Sequence, residues 1–146
     1  MAELEAVMAV ELQIRGPYPI SEQLLAVNIE SGSLVGVGTF KGELSGSVIA
    51  PSGDVIEVQK TGTFERNVRL IASMEDGSHL LMEYGGRTVP TGDFQKKADA
   101  QEIIKGSEVY FKIQPTFSTE SEKHAWLNDF IFVGDMEEII FPSPEV

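Results

Sequence analysis

The stretch GVGTFKGELSGSVIAPSGD, residues 36–54, places five glycines in nineteen positions. Glycines at this density serve either a loop that cradles a phosphate or a sheet that has to bend. A dinucleotide fingerprint needs G-x-G-x-x-G between a strand and a helix, so that helix-terminal N–H groups face the phosphate. Here Gly36 and Gly38 are followed by Gly42, one residue too late, and LSGSVIA then reads as a strand. No Gly-Lys-Ser/Thr follows at the Walker spacing either. Glycine inside a strand instead marks a bulge or a bend where a side chain would collide. Pro51 and Gly53 in APSGD predict a turn. The glycines are therefore assigned to bending a sheet.

Outward from this stretch the chain reads mostly as strands. LLAVNIE (24–30) alternates Leu25, Val27 and Ile29 with Ala26, Asn28 and Glu30, the period of a half-buried strand. AVMAVELQI (6–14) alternates in part. RGPYPISE (15–22) predicts a loop and ESGS (30–33) a turn. VIEVQK (55–60) and FERNVRLIASM (64–74) flank a turn at TGT. EDGS (75–78) carries the Asp-Gly pair of a tight hairpin leading into HLLMEY (79–84). EVYFKIQ (108–114) and AWLNDFIFVG (125–134) are rich in aromatic and β-branched residues and read as strands. Only DFQKKADAQEIIKG (93–106) reads as a helix, with Asp93 to cap it and Gly106 to close it; a second start is available at Asp99, with Glu102 in capping-box spacing. TESEKH (119–124) reads as a polar loop or a single turn. About eight or nine short strands with one helix predict an all-β, closed antiparallel barrel forming a single domain over residues 1–146.

Composition narrows the function. The chain has 146 residues, a hydrophobic fraction of 42%, no cysteine and a net charge of −12. Absence of cysteine excludes disulfides, a thiolate nucleophile and thiolate metal ligands. The acid excess opposes nucleic acid and anionic lipid, whose binding relies on Lys and Arg displacing counterions. No apolar run approaches the roughly 18 residues that span a bilayer. Glutamates occupy the N-terminal stretch where a signal peptide needs basic residues, so a cytoplasmic location is expected.

Four segments carry a family resemblance: GTFKGELSGSVIAPSGD (38–54), NVRLIASMEDG (67–77), YFKIQPTFST (110–119) and HAWLNDFIFVG (124–134). Together they resemble Domain of Unknown Function 3237, also grouped as UPF0311, over roughly residues 25 to 141. Arg69, Pro115, Phe117, Trp126, Leu127 and Asn128 match that family's pattern. The chain departs from it at Val55, at Asn67 and Leu70, and at Lys112, Ile113 and Ser118. The resemblance implies a small lipocalin-like barrel and leaves the activity unassigned.

In a closed barrel, side chains two apart share a face. Asn67 with Arg69, Tyr110 with Lys112 and Gln114, Met82 with Tyr84, and Trp126 with Asn128 are then candidates to line one cavity. Arg69 is read either as an anchor for a carboxylate, enolate or phenolate, or as an outward arginine or one paired to Asp54 or Asp129. Lys112 shares the anchoring role or is exposed. Tyr84 and Tyr110 are candidate proton donors, or core residues with hydroxyls at the rim. Trp126 and Asn128 stack on and hydrogen-bond a flat ligand, or plug the barrel and satisfy a turn; Asn67, Met82 and Gln114 complete the candidate binding set. His79 and Glu83 lie about 13 Å apart along a strand, too far for a dyad, and His124 sits in a polar loop. No metal motif and no G-x-S-x-G nucleophile elbow occurs.

The leading expectation is a cofactor-free isomerase, cyclase or dehydratase acting on an apolar, carbonyl-bearing small molecule. The alternatives are a carrier or sensor using the same pocket, and an interaction domain whose barrel is packed solid. FIFVG (130–134) and EEIIFPSPEV (137–146) offer strand edges for a homodimer.

Overall fold

In the computed structural model, which describes residues 3–141, the glycine-rich stretch closes one hairpin and continues as a bulged strand. Strands β1 (Met8–Ser21), β2 (Leu24–Gly36), β3 (Ser45–Val58), β4 (Phe64–Met74) and β5 (His79–Val89) form an antiparallel meander. Helix α1 (Phe94–Asp99) and the two-residue strand β6 (Ile104–Lys105) lead to β7 (Tyr110–Ser118). A 3-10 turn over Ala125–Asn128 and two short strands, β8 (Gly134–Asp135) and β9 (Glu138–Ile139), follow. The main sheet runs β1-β2-β3-β4-β5-β7-β8, and β6 pairs with β9.

The glycines divide the work of turning and bending. Gly38 and Gly42 hold the β2–β3 loop with φ of +58° and +82°, a region that side chains avoid. The bending happens inside the strands. The β1–β2 register slips between Gln13 and Ile14 and again between Arg15 and Tyr18; β2–β3 slips between Asn28 and Gly32, and β3–β4 between Ile49 and Gly53. These irregularities lie side by side and crease the sheet along one line, as inserted residues do. Residues 15–21 of RGPYPISE and all of ESGS and APSGD, expected as a loop and turns, are strand segments on that crease, and only Glu22 of the expected loop lies in the β1–β2 turn. Ser52 secures it, donating to Ile49 O at 2.7 Å and accepting from Ile71 N at 3.0 Å.

The concave face is apolar. Leu34, Val48, Leu70, Ala72, Leu80 and Met82 belong to the main core cluster. At one end, Phe94 of α1 joins Ile104, Val109 and Phe141 in a second cluster.

The expected closed barrel is not formed. The sheet is a curled half-barrel whose order ends at β1 and β8, with no ladder joining β1 to β7 or β8 among the described residues. The reason lies in AWLNDFIFVG, expected as a strand. Residues Ala125–Asn128 form the 3-10 turn, which drives Leu127 into the core, while Trp126 and Phe132 pack beside it. Only Gly134–Asp135 pairs with β7. The residues that a closing strand would need are used to plug the core instead.

The helix is also shorter than expected, six residues in place of fourteen. Asp93 makes no side-chain cap, and Gln101 at φ +57° turns the chain out of helical geometry. Of the C-terminal edge expected over 137–146, Glu138–Ile139 pairs with β6; Met1, Ala2 and residues 142–146 lie outside the described residues. No helix among the described residues is long and apolar enough to cross a membrane.

Close approach along the crease is testable. A Cβ on Gly32 would lie 2.3 Å from Glu11 O of the neighbouring strand, whereas one on Gly92 meets nothing within 4 Å. Gly32→Ala is expected to lose about 1–3 kcal/mol in urea unfolding, and Gly92→Ala to stay within about 0.5 kcal/mol of the parent.

Candidate functional site

Strand parity decides which polar side chains face inward. On β4 the buried residues are Val68, Leu70, Ala72 and Met74, and Arg66 falls in the same series. On β5, Leu80 and Met82 continue as Tyr84, Gly86 and Thr88 on the same face. Asp54 on β3 joins them, so one guanidinium, one carboxylate, one hydroxyl and one phenol share the concave face near the second core cluster.

Arg66 is 5% exposed. Its Nη1 donates to Asp54 Oδ2 at 3.0 Å and its Nε to Thr88 Oγ1 at 3.1 Å. The other Asp54 oxygen accepts the backbone N–H of Asn67 at 3.0 Å. The guanidinium carbon lies 4.5 Å from the centre of the Phe111 ring, a cation–π contact. Directly across the ladder stands Gly86. A Cβ there would come within 2.3 Å of Lys112 O. The remaining nitrogen, Nη2, is buried and has no hydrogen-bond partner among the described residues. A buried donor without an acceptor costs about 1–3 kcal/mol, more when it is charged.

Tyr84 lies diagonally across the β4–β5 ladder from Arg66. Burial pushes its phenol up to about 12, with Asp54's negative charge adding to the effect and Arg66 partly offsetting it. The phenol therefore stays protonated throughout the neutral range and is a proton donor there.

The other sequence candidates are distributed elsewhere. Arg69 takes the outward alternative, its side chain 70% exposed, and pairs with Glu83 at 3.1 Å; it is paired with neither Asp54, which Arg66 holds, nor Asp129. Asn67 shares that outer face. Tyr110, 53% exposed, Lys112 and Gln114 lie on the outer face of β7, where Lys112 binds Asp135. Met82 is a core residue. Trp126 stacks on Phe40 with centroids 5.0 Å apart. Asn128 ties its turn to the chain just after β7, accepting from Thr119 N and donating to Thr119 O, each at 3.1 Å. Of the nine candidates, Tyr84 alone joins the buried cluster. Arg66 and Thr88 carry no motif, and Asp54 enters the sequence reading only as the last residue of the family-like segment 38–54 and as a possible partner of Arg69; the signal for all three is their parity with the apolar residues of their strands.

A second polar group lies at the opposite end. His124 Nε2 is 2.7 Å from Glu75 Oε1, which Lys123 also reaches at 3.0 Å. Burial pushes the Glu75 carboxyl up, but bonds from Lys123 and from backbone N–H groups, with the His124 charge, hold it below its ordinary value. Ser121 donates to Asp76, so this serine, aspartate and histidine do not form a hydrolytic relay. The hydroxyls of Ser121 and Ser78 hold Asp76 far below the usual carboxylate range. A cleft of about 290 Å³ beside this group is lined by Phe40, Lys123, His124 and Trp126, among others. A smaller one of about 120 Å³ opens at Phe94 and Ile104, on the second core cluster against which Phe111 packs.

Three outcomes follow from these environments. Asp54→Ala leaves Arg66 buried without its counter-charge and is expected to cost about 3–5 kcal/mol. Asp54→Asn removes a negative charge beside Tyr84, so the phenol should titrate at lower pH in absorbance at alkaline pH. Because the Tyr84 value is raised from 10.0 to about 12 on folding, its contribution is complete below pH 10 and lost as pH rises towards 12. Asp76 has the opposite sign: its contribution is present above the ordinary value of 3.8 and disappears as pH falls through its depressed one. Asp76→Asn should therefore flatten the acid side of the Tm–pH curve, as read by calorimetry.

Comparison with known proteins sets this site in context. A UPF0311 protein of Clostridium acetobutylicum is 27% identical over 130 residues, covering 88% of this chain and 82% of that one. A UPF0311 protein of Rhodopseudomonas palustris is 26% identical over 98 residues, 66% of this chain and 64% of the relative. Among solved structures, a protein of unknown function from C. acetobutylicum superposes with a TM-score of 0.75 at 23% identity, covering 92% and 91% of the two chains. A conserved protein of unknown function from R. palustris gives 0.80 at 19%, covering 94% and 97%. A β-barrel-like protein from Acinetobacter baumannii gives 0.61 at 20%, covering 92% and 90%. At these identities the structural matches speak for the fold alone. A family model matches residues 2–140, and the chain belongs to that family, described as protein of unknown function DUF3237.

Proposed function

We propose that the protein is a cofactor-independent enzyme of isomerase, cyclase or dehydratase type, acting on an apolar, carbonyl-bearing small molecule at Arg66 and Tyr84. The observation that carries this reading is the buried Arg66 Nη2 without an acceptor. A substrate oxygen that gains negative charge would supply that acceptor, and a fixed guanidinium in a water-poor site stabilises such charge strongly. Tyr84 would donate its proton to the atom gaining electrons and recover one from the position that loses it. The proton count then closes without a cofactor. The apolar concave wall holds a flexible substrate in one reactive conformation. Access would run from the cleft at Phe94 and Ile104, with Phe111 swinging off the guanidinium.

A second reading, a carrier for the same ligand, has its own support. Asp54, the carboxylate of the cluster, is fully engaged by Arg66 and by the Asn67 N–H, so it is not placed to act as a base. The test is thermal-shift and native mass spectrometry screening against β-keto acids and α,β-unsaturated ketones, followed by chromatography for turnover. An enzyme is expected to show turnover that Tyr84→Phe cuts by about 10²–10⁴-fold while binding persists, and Arg66→Met to abolish both. Binding without turnover, unchanged in Tyr84→Phe, supports the carrier. If no compound binds and an Arg66→Met/Asp54→Leu double variant is clearly less stable than the parent, the cluster is structural and both readings fall.

A further inference from the structure

The outer edge of β1 is the open side of the sheet. β1 pairs with β2 and with no other strand among the described residues, and no further backbone hydrogen bond from residues 8–15 occurs among them. Its inward residues Val10, Leu12 and Ile14 pack on the main cluster yet stay half-buried, whereas Ile29 and Leu34 on β2 are fully buried. From Met8 to Arg15 the strand carries no proline and no inserted residue of its own; the extra residue there is Glu30 of β2. Such an edge is a template for another strand.

We infer that the partner is a second copy of this chain, with β1 docked antiparallel on β1 about a two-fold axis at Gln13. Facing residues of an antiparallel pair share a face, so only a register centred on a residue keeps Val10, Leu12 and Ile14 on the concave side. Centring on Glu11 sets two carboxylates against each other, a poor choice for chains of net charge −12. Centring on Leu12 places Arg15 opposite Ala9. Centring on Gln13 places Glu11 opposite Arg15 twice and Leu12 opposite Ile14 twice. Arg15 has capacity for the added bond, since its Nε holds Glu30 at 3.0 Å and the guanidinium carries further N–H donors. Pro17 and Pro19 lack N–H groups and end the new ladder. The contact is isologous and closes at two chains.

The test is sedimentation equilibrium over a wide concentration range, with thermal unfolding as the check on folding. The parent is expected to approach twice the 16.0 kDa chain mass. Glu11→Arg sets like charges against Arg15 and should weaken the dimer about tenfold or more, the equivalent of roughly 1.4 kcal/mol. Glu11→Arg/Arg15→Glu should restore it. A 16.0 kDa species at every concentration overturns the inference. So does a dimer that ignores Glu11→Arg but is lost in Ile131→Ser, which would move the contact to the exposed 130–133 segment. A monomer whose β1 amide protons exchange slowly until residues 142–146 are deleted also overturns it, because the chain's own end would then cover the edge.

Discussion

The crease across β1, β2 and β3 is the constraint on which the rest of the molecule depends. A regular antiparallel sheet of these lengths would twist but would not cup. Register slips at the same level in three adjoining ladders bend it sharply enough for one face to become an interior. β4 and β5 pair without a slip, so curvature is concentrated on one half of the sheet and the other half is a stiff wall. The inward polar cluster is mounted on that wall and on the straight end of β3. Its geometry is therefore fixed by regular ladders and not by loops.

Against that wall, Arg66 stands out because its environment opposes it. Outward ion pairs such as Arg69–Glu83 and Lys112–Asp135 sit in high dielectric and contribute little. A guanidinium placed inside loses its hydration and recovers it only through Asp54, Thr88 and the face of Phe111. Those partners satisfy part of its donor set and leave Nη2 over. An apolar residue of similar size would fill the same space at lower cost, so stability alone gives no reason for an arginine at this position. The proposed stabilisation of negative charge on a substrate oxygen would give one.

The sequence carried more of this than its motifs suggest. Hairpins at EDGS and TGT follow directly from their turn residues. In FERNVRLIASM, the run Val68, Leu70, Ala72 and Met74 fixes the inward parity, which assigns Arg66 inward and sends Asn67 and Arg69 out. In HLLMEY, Leu80 and Met82 likewise bring Tyr84 in, and Phe111, Ile113 and Phe117 send Tyr110, Lys112 and Gln114 out. The family-like polar positions Asn67, Arg69, Tyr110 and Lys112 have the opposite parity and face outward. What local pattern could not supply was the crease, because an inserted residue within a strand has the same composition as a turn: Pro, Gly and Ser at 15–22, 30–33 and 50–53. Nor could it supply the fate of AWLNDFIFVG. Its β-forming residues are outweighed by the gain from placing Leu127, Trp126 and Phe132 in the core.

That last substitution of packing for pairing links the open edge to the interior. A closing strand would have satisfied the outer edge of β1 and sealed the concave face by hydrogen bonds. A plug of Leu127, Trp126 and Phe132 seals the face by apolar contact and leaves the β1 backbone donors and acceptors unused by the chain's described strands. Strand pairing across a two-fold axis would satisfy those groups and shield the half-buried Val10, Leu12 and Ile14 in one step. It would also lower the dielectric along the side of the concave face away from the wall. A charge stabilised by Arg66 is worth more as water is excluded around it, so closing the open edge and keeping a fixed guanidinium inside serve the same physical end.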